Sequence, residues 1–444
     1  MTPPALPVPR NLEQFPELHP PLDAQAAFVE ANRCLYCYDA PCTLACPTHI
    51  DVPRFIKKIA SCNLSGSAST ILDANILGLS CSRVCPVDVL CEGACVLHRY
   101  NRTPIEIGRL QRHAMDWFYA SGAGLRPAPP SAGRGPAPRI ACIGGGPASL
   151  ACAAELRRHG YAVTIFDDRP LPGGLNTYGV AEYKLRASDS LREVALIRSL
   201  GVEFRQLEVG AAVSLDDLEK EFDAIFVGVG LGSMERLGIP GEDRPEVTDA
   251  LRFIAHYKTT HDVEVGRLVV VIGGGNTAID AANAARRLGA EEVHVFYRRS
   301  EKEMPAFPFE YEHSKAEGVQ FHWLAQPVEI LERAVRFRST RLGPPDASGR
   351  RSAEPVPGSD FVFVCDTVIP AVGQSRLMKL LHETRAVELN DGLIRVDRPT
   401  GRTSHERYFA GGDCVNGGRE VVDAVADGKR AALAIASRLE RQRG

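Results

Sequence analysis

The spacing of apolar and polar positions divides the chain into an N-terminal part of short helices and a longer part in which apolar runs alternate with helices. Residues 24–33 have helical composition, and residues 52–63 and 67–77 space their apolar side chains as short helices do. Residues 103–120 predict an amphipathic helix, with Thr103 as N-cap, Pro104 at the first helical position and Glu106 three residues after the cap. From Arg139 the pattern changes. RIACI is an apolar strand, GGGP a turn, the residues that follow a helix of small side chains, and YAVTIFD a second strand ending at Asp167. Residues 267–300 repeat that order, with VHVFY as the second strand. FDAIFVGVG predicts a further strand, and near the C-terminus RYFAGGD predicts a strand running into Gly411, Gly412 and Asp413, followed by a helix.

Between these stretches, residues 1–23 are Pro-rich and read as a surface arm. Residues 121–138 hold almost nothing but Gly, Ala, Ser, Pro and Arg and read as a linker. A chain of 444 residues suggests two to four domains. The balance of 52 basic against 55 acidic residues gives no field that favours nucleic acid or an anionic membrane, so neither is expected as a partner. The N-terminus lacks a basic region followed by an apolar core, and no apolar run approaches the roughly 18 residues of a membrane span. The expectation is a cytoplasmic protein.

In a reducing compartment, clustered cysteines point to metal or redox chemistry rather than to disulfides. Nine of the thirteen cysteines lie between Cys34 and Cys95. Eight form two ladders, Cys34, Cys37, Cys42 and Cys46 before Pro47, and Cys81 and Cys85 before Pro86, then Cys91 and Cys95. Zinc sites use two well-separated pairs. Closely interleaved fours, with a Cys-Pro step in each ladder, are the punctuation of ferredoxin-type sites, and two [4Fe-4S] clusters are expected. A helical domain this small would be weak without its metal.

The Gly-rich turns suggest two dinucleotide sites. Gly144 and Gly146 permit a tight turn and let backbone approach a pyrophosphate at a helix N-terminus; Ser149 holds the third position, and Asp167 stands about 20 residues on, where an acid bonds a ribose hydroxyl. Gly273 and Gly275 repeat the turn with Ala278 at the third position, but Arg298 and Arg299 replace the acid, which favours a 2′-phosphate and hence NADPH. The competing reading has these arginines covering the adenine or pairing with Glu301 and Glu303. A Gly-Gly turn at Gly173 and Gly174 suits close approach of a flavin to backbone, which assigns the first unit and the C-terminal segment to FAD. The fold class is therefore α/β: an N-terminal α-helical iron-sulfur domain followed by two Rossmann-like domains, the FAD domain interrupted by the NAD(P) domain. The expected boundaries are 1–120 for the helical domain, 121–138 for the linker, 139–255 and 373–444 for the two parts of the FAD-binding domain, and 256–372 for the NAD(P)-binding domain.

Over residues 24–440 the chain resembles the pyridine nucleotide-disulfide oxidoreductase-like flavoproteins whose N-terminal helical domain holds two [4Fe-4S] clusters, the group of the glutamate synthase small subunit and the dihydropyrimidine dehydrogenases. The resemblance is carried by both ladders, CIGGGPAS, PGGLNTYGV, VVVIGGGNTAID, YRRSEKEMPA, VIPAVGQ and FAGGDCVNGGREVVDAV; CEGACVLHRYNRTPIEIGRLQR is closer to the dihydropyrimidine dehydrogenase branch. That branch implies that Cys34, Cys37, Cys42 and Cys95 hold one cluster and Cys46, Cys85, Cys91 and Gln111 the other, with Cys81 spare. From chemistry alone an amide oxygen is a poor ligand for a soft metal, and Gln111 would not have been chosen. The resemblance further implies FAD contacts from Gly144, Gly146, Ala148, Asp167, Gly174, Leu175, Lys184, Gly412 and Asp413, and nicotinamide cofactor contacts from Gly275, Asn276, Thr277, Arg298, Arg299 and Gly373. Lys184 replaces an Arg common in relatives, and a further Arg of the NADPH-using relatives has no counterpart in SEKEMPAF, which keeps NADH open.

Cys142 and Cys152 read as small buried hydrophobes. His49, His98 and His113 read as ordinary histidines, and Cys414, beside Asp413, has no CxxC partner. The implied mechanism is hydride transfer from NAD(P)H to FAD, then single electrons through the clusters. No catalytic acid–base pair is expected. No FMN-binding barrel is found in the sequence, so the expected activity is that of a subunit feeding an FMN-containing partner that reduces uracil or thymine, in a hetero-oligomer. The alternatives are a glutamate synthase small subunit, a stand-alone NAD(P)H:acceptor oxidoreductase, or a scaffold that keeps FAD structurally.

Overall fold

The computed structural model describes residues 15–125, 137–260, 263–346, 349–376 and 387–443. The expected linker and arm fall largely outside these residues.

Short polar residues start the N-terminal helices. Asp23 accepts from the Ala26 amide at 2.7 Å to open Ala24–Asn32, Asp51 from Arg54 at 3.1 Å to open Val52–Ala60, and Asn63 from Gly66 at 2.8 Å to open Leu64–Ala74. The Asn63 cap explains why the last of these begins three residues before the expected start at residue 67. The final helix departs further: it is Ile107–Ala120, and Thr103 caps nothing. Arg33 donates to the Thr103 carbonyl at 2.6 Å and Glu30 accepts from the Glu106 amide at 2.9 Å, so residues 103–106 are held as a non-helical strap by the first helix. Phe55, Ile56, Ile71, Leu79, Leu110 and Met115 fill the space between the helices.

The first sheet has five parallel strands in the order Tyr408–Ala410, Ala224–Val227, Arg139–Ile143, Ala162–Asp167, Glu203–Gln206. Its edge strand comes from the C-terminal segment, as expected of an interrupted domain. The helices Pro147–Arg158 and Val421–Arg443 pack on it, and their buried Ala151, Cys152, Leu156, Ile435 and Leu439 share one core with the N-terminal helices. Arg158 donates to the Leu72 carbonyl at 2.9 Å and Lys429 to the Asp73 carbonyl at 2.7 Å, pinning those helices to this sheet.

These elements form one compact unit, Glu17–Thr177, Lys184–Leu231 and Arg376–Gly444. The other comprises Gly232–Ser375 with Tyr178–Tyr183. Residues 232–255, expected in the first FAD segment, belong to this second unit because Phe253, Ile254 and Tyr257 bury against Val269 and Val271. Its four parallel strands run in the order Thr367–Pro370, Leu268–Ile272, Glu292–Tyr297, Gln320–Trp323. It also contains a three-stranded antiparallel sheet, Ala325–Leu331, Ala334–Pro345 and Arg351–Val364, which the sequence reading did not anticipate. Among the described residues, no helix is long and apolar enough to cross a membrane.

Candidate functional site

The N-terminal helices bring the cysteines into two sets. Cys34, Cys37, Cys42 and Cys95 line one pocket that opens to solvent, walled by Val52, Ile56, Leu97, Ile105 and Ile107. Burial pushes the Cys42 thiol up to about 12, with Cys34 and Cys95 adding to the effect, and burial likewise raises Cys34. Four thiols converging on one apolar pocket make a soft donor set of the kind that holds a metal centre. This fits an iron-sulfur cluster. No three His, Cys, Asp or Glu side chains among the described residues are arranged to hold a single metal ion.

The second set gathers around Cys85. Its thiol is raised first by a hydrogen bond with Cys81, then by burial and by Cys91 and Cys46. Cys46 also contacts the Thr48 hydroxyl at 3.3 Å. Gln111 is 8 % exposed on the inner face of Ile107–Ala120; its Nε2 donates to the Gly78 carbonyl at 2.8 Å, and its Oε1 has no partner among the described residues. Cys81, spare in the implied ligand set, is buried and hydrogen-bonded to Cys85, whereas the bond that fixes Gln111 runs to the Gly78 carbonyl on the helix that carries Cys81.

One residue here carries no sequence signal. Glu193, on Ala187–Ser199, is 1 % exposed and accepts from the Leu79 amide at 2.9 Å, the Ser80 amide at 3.0 Å and the Ser80 hydroxyl. Burial pushes its carboxyl up to about 7 against those bonds and the nearby Arg83 guanidinium.

In the first sheet the Gly-rich turn forms a cradle that side chains would fill. Gly144 has φ +90°, and a Cβ there would lie 2.6 Å from the Gly228 carbonyl oxygen. A Cβ on Gly174 would stand 2.8 Å from Gly146 Cα, and one on Gly412 would stand 3.1 Å from Ala148 Cβ, so Gly144, Gly146, Ala148, Gly174 and Gly412 converge. Leu175 and Lys184 are half-buried. Asp167 accepts from the Gly145 amide and, at 2.8 Å, from that of Arg169; burial raises its carboxyl against both bonds. Asp413 accepts from the Arg419 amide at 3.2 Å and is also raised by burial. The buried Ser149 hydroxyl, at the head of Pro147–Arg158, has no partner among the described residues. A backbone cradle with an unpartnered hydroxyl at a helix N-terminus fits the phosphates of a dinucleotide.

The second turn, in the other unit, is more open. Nothing described lies within 4 Å of where a Cβ on Gly275 or Gly373 would stand. Asn276 accepts from the Phe307 amide at 3.0 Å, and Thr277 follows it at the start of Asn276–Arg287. The two arginines separate. Arg299 is 7 % exposed, and its Nε donates to the Arg351 carbonyl at 2.6 Å. Arg298 is exposed, has no ion pair among the described residues, and is lowered by partial burial and then by the charges of Arg299 and Arg350. Neither pairs with Glu303, which accepts from the Ser300 hydroxyl instead.

Cys142 and Cys152 are fully buried, and the Cys414 thiol donates to the Val227 and Gly411 carbonyls, pushed up to about 12 by burial. His49 and His98 are exposed, and His113 meets the Leu22 carbonyl at 3.2 Å.

Residues 11–123 match the family described as dihydropyrimidine dehydrogenase domain II, 4Fe-4S cluster, and residues 138–428 match the pyridine nucleotide-disulphide oxidoreductase family. The chain is 39 % identical to the oxidoreductase AegA of Escherichia coli K12, over 95 % of this chain and 67 % of that protein. It is 37 % identical to the NADPH glutamate synthase small chain of the same organism, over 99 % of this chain and 97 % of that one. Among solved structures, FprA from Mycobacterium tuberculosis in complex with NADPH is similar in fold, with a TM-score of 0.56 at 21 % identity over 69 % of this chain and 85 % of that one.

Proposed function

The chain belongs to the pyridine nucleotide-disulphide oxidoreductase family and is an NAD(P)H-dependent flavoprotein oxidoreductase with [4Fe-4S] clusters; from that premise we propose that it is the NAD(P)H-oxidising, electron-transferring subunit of a dihydropyrimidine dehydrogenase of the kind called PreT. Its partner would be an FMN-containing subunit that reduces uracil or thymine to the 5,6-dihydropyrimidine. The observation that carries the electron-transfer reading is that both cysteine sets and the first Gly-rich cradle belong to one compact unit with a shared core.

FAD held in the first cradle would supply hydride chemistry with NAD(P)H, and clusters held by the cysteines would supply one-electron transfer. The chain's own residues bind and orient. The Gly144–Gly146 turn, Ala148, Gly174 and Gly412 accept the FAD phosphates at close range, with Asp167 on the ribose and Leu175, Lys184 and Asp413 flanking. Gly275, Asn276, Thr277 and Gly373 take the second dinucleotide, and Arg298 receives its 2′-phosphate. Cys34, Cys37, Cys42 and Cys95 hold one cluster; Cys46, Cys85, Cys91 and Gln111 hold the other. Gln111 Oε1, which no donor among the described residues reaches, is left available as a ligand and supports the pyrimidine branch.

The near full-length match to a glutamate synthase small chain favours a second reading, in which the partner is a large amidotransferase subunit. One anaerobic experiment separates them. The chain is purified with a co-expressed FMN-containing partner, the flavin is bleached with NADPH or NADH, and uracil is added. Reoxidation by uracil is the expected outcome. Bleaching without reoxidation by uracil, together with reoxidation by glutamine and 2-oxoglutarate when a glutamate synthase large subunit is supplied, would transfer the assignment to the second reading.

A further inference from the structure

Glu193 and Gln111 lie on opposite sides of one peptide group. The Leu79 N–H donates to Glu193 Oε1 at 2.9 Å, and the carbonyl of the same Gly78–Leu79 peptide accepts from Gln111 Nε2 at 2.8 Å. All four residues belong to the same compact unit, Glu193 on the helix Ala187–Ser199 of the first Rossmann-like domain and Gly78, Leu79 and Gln111 in the N-terminal helical domain.

A carboxylate on a peptide N–H draws positive charge toward itself and leaves the carbonyl oxygen more negative. That carbonyl becomes a stronger acceptor for the Gln111 amide. An amide that donates strongly through nitrogen has more charge on its own oxygen, and Gln111 Oε1 is the atom with no other described partner. The amide is thereby fixed in orientation and made a better donor to a metal for which neutral oxygen is otherwise a poor ligand. A neutral isostere could occupy the same space. A carboxylate is costly to bury, and the chain supplies three donors to hold this one, the Leu79 and Ser80 amides and the Ser80 hydroxyl.

The surroundings carry further charge. Arg83, on Gly78–Val84, pairs with Asp116 at 2.6 Å and with Asp189 at 3.3 Å. Tyr119 presents a buried hydroxyl with no partner among the described residues, and Arg192 lies over its ring. None of these is hydrogen-bonded to the Gly78–Leu79 peptide; Arg83 reaches the next carbonyl, that of Leu79.

We propose that Glu193 is a positioning residue for the second cluster: its carboxylate acts through the Gly78–Leu79 peptide to orient the Gln111 amide and raise the donor strength of Gln111 Oε1 toward iron. The inference rests on the reading of Gln111 as a ligand, and the test separates the two.

The experiment is an EPR-monitored redox titration of the purified, cluster-loaded, full-length chain, comparing the wild type with Glu193→Gln, Ser80→Ala, Asp189→Asn and Gln111→Leu. Glu193→Gln should raise the midpoint potential of one cluster and leave the other in place. The expected size is a tenfold change in that reduction equilibrium, about 59 mV for one electron. Ser80→Ala removes a donor that neutralises the carboxylate and should move the same potential the opposite way, which keeps the idea testable if Glu193→Gln loads poorly. Asp189→Asn removes a charge on the same helix without touching the peptide and should shift that cluster by less than a third as much. A Gln111→Leu chain with an unaltered EPR signature would remove the ligand reading itself. An altered Gln111→Leu signature with no shift in Glu193→Gln, or equal shifts from Glu193→Gln and Asp189→Asn, would leave the ligand reading standing and overturn the role of Glu193.

Discussion

Replacing Arg298 by Gln should change which nicotinamide cofactor the protein prefers without harming the fold. The guanidinium is exposed and unpaired among the described residues, with Arg299 and Arg350 as its charged neighbours, so no carboxylate competes for a phosphate. A hydrogen bond to a charged group contributes roughly 1.5–3 kcal/mol. Solvent screening at an exposed site places the loss just below that range, at about 1.4 kcal/mol, which is a tenfold weaker interaction. Steady-state flavin reduction should show KM for NADPH rising about tenfold, with KM for NADH and both limiting rates unchanged. Arg299→Gln serves as the contrast, because its buried guanidinium holds the Arg351 carbonyl. It should lower Tm and affect both cofactors alike. Equal losses of NADPH and NADH in Arg298→Gln, or selectivity arising from Arg299→Gln alone, would refute the reasoning.

Other outcomes follow from the same geometry. Cys81→Ala should retain the iron of two clusters by chemical assay, whereas Cys95→Ser should lose that of one and unfold at lower temperature, because metal binding and folding are linked. Gly144→Ala places a Cβ 2.6 Å from the Gly228 oxygen at φ +90°; the purified chain should contain little FAD, and an apoprotein destabilised by about 1–3 kcal/mol should show it in denaturant titration. Glu317 is held at about 2, below its usual 4.5: burial raises it, but the bonds from Arg287 and His313 overcome that. A depressed acid contributes stability above pH 4.5 that is lost as pH falls toward 2. With discount for partial exposure the loss is roughly 1–2 kcal/mol, and Glu317→Gln should flatten that part of the stability–pH curve.

The readings that held were those set by local chemistry. A Gly-rich turn between two apolar runs dictates strand, turn and helix whatever surrounds it, and both such units folded as expected. The helix expected from Thr103 did not start there because Glu30 and Arg33, some 70 residues earlier, claim its first turn. Nothing in the strap itself records that claim. Arg298 and Arg299 are indistinguishable as neighbours in a string; the strand Arg351–Val364 makes Arg299 a structural clasp, while Arg298 has no ion pair among the described residues. Glu193 shows the same limit more sharply. Within LREVALIRS it reads as a surface acid on a helix, and its meaning lies with Leu79 and Ser80, more than 110 residues away.

The short strand Tyr408–Ala410 bears on how the protein is made. It pairs with Ala224–Val227 and closes the first sheet, yet more than 180 residues separate the two in the chain. During synthesis at about 5–20 residues per second, the open edge of Ala224–Val227 would wait on the order of ten seconds or more for its neighbour to leave the ribosome. An unpaired strand is a template for wrong partners. The intervening segment carries its own parallel sheet and core and can fold during that interval, so the wait is spent beside an already compact insertion rather than a loose loop. Expression conditions that slow translation between these strands lengthen the exposure, and yield of intact protein should be most sensitive to them there.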